Sequence, residues 1–123
     1  MSSLVSVIIS TFNSSPVVVE TLESVSKQKW KELELIITDD CSGDDTVEVC
    51  RTWLGENRQR FISSQIITSE KNTGIPANAN RGFNVAKSDW IKFLGADDTL
   101  KSNCIEDNMS WITSHPKVRA LFS

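Results

Sequence analysis

The feature that most constrains this chain is an alternation of two hydrophobic periods. Short, nearly continuous apolar and β-branched runs take turns with longer stretches whose apolar residues recur at helical spacing. Leu4 to Ser10, Leu33 to Thr38, Phe61 to Thr68 and Trp90 to Leu94 are the four runs, and such runs belong to strands buried on both faces. Between the first two, Ser14 or Ser15 offers an N-cap and Pro16 suits the first helical position. Val18, Leu22 and Val25 then carry a helix to about Gln28. Ser42 and Asp45 have capping-box spacing ahead of Val47, Cys50, Trp53 and Leu54. Asn72-Thr73-Gly74 reads as a turn, and Pro76 opens a third helix with Ala79, Phe83 and Ala86 facing inward. Ser102 caps a fourth helix carrying Ile105, Met109 and Ile112, which His115-Pro116 closes. The order βαβαβαβα predicts an α/β fold: an open parallel sheet of the Rossmann-like kind, with right-handed crossovers and helices on both faces. Val118 to Phe122 looks like a fifth strand beginning, so the chain is expected to be a truncated piece of something longer.

Composition narrows the partners. At 123 residues and 39% hydrophobic content the chain has one core's worth of apolar material. Its 13 Lys and Arg against 16 Asp and Glu leave a net charge of −3, with no basic stripe to neutralise phosphates, which argues against a nucleic-acid partner. Lys27, Lys29 and Lys31 form the only basic cluster, and Glu32 and Glu34 follow at once, as on a solvated helix end. No apolar run approaches the roughly 18 residues needed to span a bilayer, and the start lacks a charged region and cleavage site. The expectation is a cytoplasmic chain that does not insert into membranes. Cys41, Cys50 and Cys104 lack metal-ligand spacing and read as reduced thiols. Trp30, Trp53, Trp90 and Trp111 read as core or rim packing, and His115 as a surface or capping residue.

In an open parallel sheet, ligands sit outside the carboxyl ends of the strands, near the point where strand order reverses. The first strand exits into Ser10-Thr11-Phe12-Asn13, the second into Asp39-Asp40, and the fourth into Gly95-Ala96-Asp97-Asp98. Two acidic pairs therefore share one edge. Like charges brought together raise one another's pKa, so the arrangement calls for a cation. Hard oxygen ligands on short loops suit Mg²⁺ or Mn²⁺, which keep several waters and bridge to phosphates. A single close charge pair is worth roughly 4 kcal/mol at an effective dielectric of 20, and a divalent cation reverses the sign of that term for an anionic diphosphate. Sharper motifs are excluded. The first turn holds no glycine, so no Gly-x-Gly-x-x-Gly site is present, and there is no P-loop. Taking Gly43 as position six of an EF-hand puts Thr38 where the first Asp belongs.

Three segments, in order and at family spacing, resemble family 2 glycosyltransferases, which have the GT-A fold. They are Val5 to Asn13, Glu34 to Asp44 with its strand-Asp-Asp-x-Ser pattern, and Asn72-Thr73-Gly74 through Asn80-Arg81-Gly82 to Asp97-Asp98. The resemblance implies residues 1–123 are the nucleotide-diphospho-sugar-binding half of a GT-A domain. That half binds a nucleotide-sugar donor, most simply a UDP-sugar, for inverting transfer to a hydroxyl of a glycan or lipid-linked acceptor. It places Ser10, Thr11, Phe12 and Asn13 around the nucleoside, Asp39 with Asp40 at the base, and Gly74, Asn80 and Arg81 in the nucleotide site. Asp97 falls at the ribose and at Mn²⁺ or Mg²⁺, with Asp98 beside it on the metal. Two departures are Gly95, where the family's Asp-x-Asp begins, and Ala79, where an Arg is common; Arg81 stands two residues on. No residue here matches the general base, which is expected in the absent acceptor-binding half, so this piece alone should not turn over. The implied setting is polysaccharide or glycan biosynthesis on the cytoplasmic side of a membrane. A non-catalytic nucleotide-sugar-binding module of the same fold is an alternative reading, supported by Gly95. A receiver-like signalling domain is a second, opposed by the Ser10-Thr11-Phe12-Asn13 exit where an acidic pair would be needed.

Overall fold

The computed structural model describes residues 3–115. In chain order they form β1 (Val5–Thr11), α1 (Val18–Ser26), β2 (Leu33–Asp39), α2 (Thr46–Asn57), β3 (Ser63–Thr68), α3 (Ile75–Val85), β4 (Trp90–Gly95) and α4 (Cys104–Ser114). All strand pairs are parallel, in the order β3-β2-β1-β4. The central strands β1 and β2 are the β-branched runs and are buried almost end to end. The edge strand β3, with its Ser63-Ser64-Gln65 start, is only half-buried.

Strand periodicity divides the helices. Val5, Val7 and Ile9 of β1 and Leu33, Leu35 and Ile37 of β2 share one core with Val18, Leu22 and Val25 of α1, Cys50, Trp53 and Leu54 of α2, and Ile105 and Met109 of α4. The intervening Ile8 meets α3 on the other face, where Gly82 lets helix and strand approach closely. A Cβ on Gly82 would lie 2.6 Å from Ile8 Cγ2, so no larger residue fits without moving the helix. Glu34, only 1% exposed, is the buried charge of this face. Its Oε1 accepts from Ser6 Oγ (2.7 Å) and the Lys87 amide (2.9 Å), and its Oε2 from Ser63 Oγ (3.1 Å). These bonds supply the partners that burial demands.

Several local expectations shift. α1 starts at Val18, not Pro16, because the amides of Val17 and Val18 both donate to the Ser14 carbonyl and spend residues 14–17 on a turn; it ends at Ser26. Ser42 and Asp45 make no capping box: the Ser42 hydroxyl donates to Asp39 instead (2.6 Å), and the Thr46 amide donates to Asp44 (3.0 Å). On α3 the buried residues are Asn78 and Gly82, and Phe83 is 40% exposed, its ring against Phe93 of β4 at 5.8 Å. Asn103, not Ser102, precedes α4 as its N-cap. Pro116 and the expected strand Val118–Phe122 lie outside the described residues. Among the described residues, no helix is long and apolar enough to cross a membrane.

Candidate functional site

Strand order reverses between β1 and β4, so the crevice that an open sheet offers a ligand lies at the carboxyl ends of those two strands. Register places Ser10 beside Thr38 and Gly95, and Thr11 beside Asp39. The loops that follow are laced together. The Asn13 amide donates to Ser42 Oγ (2.9 Å), the Gly43 amide to Asn13 Oδ1 (2.7 Å), and the Ser14 amide to Thr46 Oγ1 (2.8 Å). Asn13 and Cys41 reach these positions with φ of 49° and 64°, the left-handed region that non-glycine residues seldom enter. Phe12 is left 49% exposed at the mouth, an aromatic face beside the strand ends.

The two acidic pairs turn out to be different in kind. Asp39 is 1% exposed: its Oδ1 accepts from Thr11 Oγ1 (2.5 Å) and Ser42 Oγ (2.6 Å), and its Oδ2 from the Ser42 amide (2.8 Å). Asp40 is buried as well. Its Oδ1 accepts from the hydroxyl (2.6 Å) and amide (3.0 Å) of Thr73 and pairs with Arg81 Nη2 (2.8 Å), while Oδ2 accepts from the Gly74 amide (2.8 Å). Burial opposes its ionisation, but the Thr73 and Gly74 donors and the Arg81 guanidinium together outweigh burial and hold its pKa down to about 2. For Asp40 this corrects the expectation that a neighbouring carboxylate would raise its pKa, because its charge is met by donors inside the protein.

Arg81 and Asn78 complete that knot. Arg81 Nη1 donates to Thr73 Oγ1 (2.9 Å) and Nη2 to Asn78 Oδ1 (3.1 Å). Asn78 Nδ2 donates to the Thr38 carbonyl (2.9 Å) and, more weakly, to that of Thr11 (3.5 Å). Asn78 was not singled out in the sequence, although an Asn four residues before Gly82 on the sheet-facing side of a helix is the available signal. Asn80, two positions on and so turned to the opposite side of α3, is exposed and stands apart from this cluster. Gly74 sits at φ 92° as the N-cap of α3, a conformation that only glycine adopts without strain.

Asp97 and Asp98 are exposed, on the turn closed by the Asp98 amide donating to the Gly95 carbonyl (3.1 Å). Their carboxylates converge over Gly95: a Cβ there would lie 3.3 Å from Asp97 Oδ1 and 3.5 Å from Asp98 Oδ2. Exposed carboxylates are the hard oxygen donors that a Mg²⁺ or Mn²⁺ keeping its waters and taking further ligands from a diphosphate favours, and Asp98 Oδ2 already accepts from the Gly95 amide (3.3 Å). A third carboxylate from the protein is what Gly95 withholds, and no group of three acidic, His or Cys side chains among the described residues could hold a metal unaided.

Comparison with known proteins bears on this edge of the sheet. The sequence profile described as glycosyl transferase family 2 matches residues 6–122. The glycosyltransferase GlyG of Streptococcus pneumoniae is 35% identical over 108 residues, covering 86% of this chain and 34% of that protein. The poly(ribitol-phosphate) β-N-acetylglucosaminyltransferase TarS of Staphylococcus aureus is 30% identical over 112 residues, covering 89% and 19%. The crystal structure of TarS residues 1–349 in complex with UDP-GlcNAc superposes with a TM-score of 0.82 at 28% identity, over 92% of this chain and 32% of that one. The mannosyltransferase PcManGT of Pyrobaculum calidifontis, solved with GDP-Man and Mn²⁺, shares the fold at a TM-score of 0.83 and 21% identity, over 91% and 33%. The chain thus spans at most about a third of the length of these relatives, 34% of GlyG and 19% of TarS.

Proposed function

The chain belongs to glycosyl transferase family 2 and has the α/β, Rossmann-like parallel sheet of GT-A enzymes, and from that premise we propose that it is the nucleotide-sugar-binding part of a glycosyltransferase. The reaction is transfer of a sugar from a UDP-sugar to an acceptor hydroxyl on a glycan or lipid-linked molecule, with inversion at the anomeric carbon. The observation that carries this reading is the split between the acidic pairs: of the four carboxylates at the strand ends, only Asp97 and Asp98 stand open, beside the β1/β4 crevice. The relative TarS, solved with UDP-GlcNAc, supports a uridine nucleotide.

In this reading Ser10, Thr11, Phe12 and Asn13 line the nucleoside pocket, with the Phe12 ring as a stacking face. Asp39 and Asp40 form its floor at the base, braced by Gly74 and Arg81, and Asn80, on the far side of α3, drops out of it. Asp97 and Asp98 hold Mg²⁺ or Mn²⁺, which when bound offsets the charge of the diphosphate as it departs. The general base on the acceptor lies outside these residues, and the protein works in the cytoplasm, at the inner face of a membrane, in glycan or polysaccharide synthesis. Gly95 favours a second reading, a binding module without turnover; full-length protein that binds donor but neither transfers nor hydrolyses it would establish that one.

Calorimetric titration of UDP with and without Mn²⁺ tests the proposal. Binding strengthened by Mn²⁺ in the wild type, and insensitive to Mn²⁺ in Asp97→Ala, is the expected result. Mn²⁺-independent binding in the wild type would remove the metal from the reading, and binding unaffected by Asp39→Ala would move the base elsewhere.

A further inference from the structure

The turn bearing Asp97 and Asp98 is exposed, yet it is anchored from below by a buried side chain of α1. Thr21 lies in the middle of α1 and is fully buried. Its hydroxyl is 2.6 Å from the carbonyl of Ala96 and 2.6 Å from that of Asp98, across 75 and 77 residues of sequence. A hydroxyl has one proton, so the two carbonyls on either side of Asp97 share one donor. Thr is a mediocre helix former, and Val would fill the same space; the hydroxyl is what this position adds.

Thr21 also heads a stripe. Ser24 follows one turn on along α1, and Gln28 lies just past the helix's end. The Leu100 amide donates to Ser24 Oγ (3.1 Å), Gln28 Nε2 donates to the Lys101 carbonyl (2.7 Å), and the Ile105 amide donates to Gln28 Oε1 (3.1 Å). The segment from the acidic turn to α4 is thereby fastened to one helix, and Thr21 is the fastening nearest the carboxylates.

We propose that Thr21 is the positioning residue for the cation-binding carboxylates: by fixing the Ala96–Asp97 and Asp98–Thr99 peptides, which bracket the acidic pair, its hydroxyl sets where Asp97 and Asp98 point. This rests on the reading that Asp97 and Asp98 carry the divalent cation. Partners one shell out from a metal ligand typically change metal affinity by about 10-fold to 100-fold when removed.

The test compares Thr21→Ser and Thr21→Ala, which lose the same methyl group and differ only in the hydroxyl, in the full-length protein. The readout is the ratio of UDP affinity in Mn²⁺ to UDP affinity in EDTA, with melting temperatures measured alongside. Thr21→Ser should keep the wild-type ratio within about twofold, and Thr21→Ala should lower it by about tenfold; the EDTA affinity should be common to both. Thr21→Val, which leaves no cavity, serves as the second hydroxyl-free variant should the alanine variant not fold. A merely structural role would lower the melting temperature of the hydroxyl-free variants and leave the ratio alone, which would overturn the proposal. A wild-type ratio of one would instead overturn the metal reading itself, and the proposal with it.

Discussion

Gly82→Ala is the sharpest probe of how α3 holds the site together. The new Cβ would stand 2.6 Å from Ile8 Cγ2 and 3.4 Å from Thr38 Cγ2, where carbon atoms ordinarily rest about 3.5–4.0 Å apart. Ile8 is fully buried on a central strand and cannot retreat, so the helix must back off by about 1 Å. Overpacking of this kind costs about 1–3 kcal/mol, against which alanine's better helix propensity returns about 1 kcal/mol. Retreat also strains the Asn78 bonds to the carbonyls of Thr38 (2.9 Å) and Thr11 (3.5 Å), each worth about 0.5–1.5 kcal/mol. The net is a loss of about 1–3 kcal/mol, or a fall in melting temperature of about 4–12 °C in a domain of this size. Gly55→Ala supplies the control, because it lies inside α2 with nothing within 4 Å of the new Cβ. The same substitution there should stabilise by about 0.5–1 kcal/mol. Thermal and urea unfolding of both variants, with UDP affinity measured on each, tests the opposition in sign. Gly82→Ala as stable as the wild type would refute the argument that close approach at this glycine seats α3.

Two further outcomes follow from the acidic pairs. Asp40 titrates at about 2 in the folded protein against 3.8 ordinarily, so its stabilising contribution is fully present above about pH 4 and is lost as pH falls toward 2; urea midpoints should fall over that window more steeply in the wild type than in Asp40→Asn. Gly95→Asp adds a third carboxylate whose Cβ meets Asp97 Oδ1 and Asp98 Oδ2 at 3.3 and 3.5 Å. It should tighten Mn²⁺ binding by about tenfold or more, since one more unit charge near 4 Å is worth about 2 kcal/mol to a divalent ion even in water, and like-charge repulsion should lower the metal-free melting temperature; spin-resonance titration of free Mn²⁺ reads the first effect and thermal unfolding the second.

The strands, their parallel pairing and the edge that carries the polar exits were legible because continuous runs such as Leu33 to Thr38 have few alternatives in a chain that alternates with helical spacing. Helix starts were less so. Ser42 was a capping residue by spacing, but Asp39 lies three residues back and competes for its hydroxyl. Phe83 looked inward because it is large and apolar, whereas the position that faces the sheet belongs to Gly82, chosen for the absence of a side chain. Thr21 was hidden for a related reason: within Val18 to Val25 it fits an apolar stripe, and its partners lie 75 and 77 residues away. Local pattern reports which face is buried; it does not report which buried polar groups meet.

That limit matters most for the carboxylates. As sequence, Asp39-Asp40 and Asp97-Asp98 are the same object, two acids after a strand. As structure, the first pair is drawn inward by Thr11, Ser42, Thr73 and Arg81, residues from four separate segments, and both carboxylates are met by donors inside the protein. Among the described residues, the side chains of the second pair are met by the Gly95 amide, 3.3 Å from Asp98 Oδ2, and the Thr21 hydroxyl lies beneath its backbone. Charge balanced by internal donors fixes shape, since moving it would strand a buried ion. Charge left open attracts something from outside. The Asp39-Asp40 pair therefore belongs with Asn78 and Gly82 as the frame of the crevice, and substitutions there should act through stability first. Substitutions at Asp97 and Asp98, whose exposed side chains leave the backbone bonds to Thr21 in place, should leave stability nearly unchanged and act on the cation.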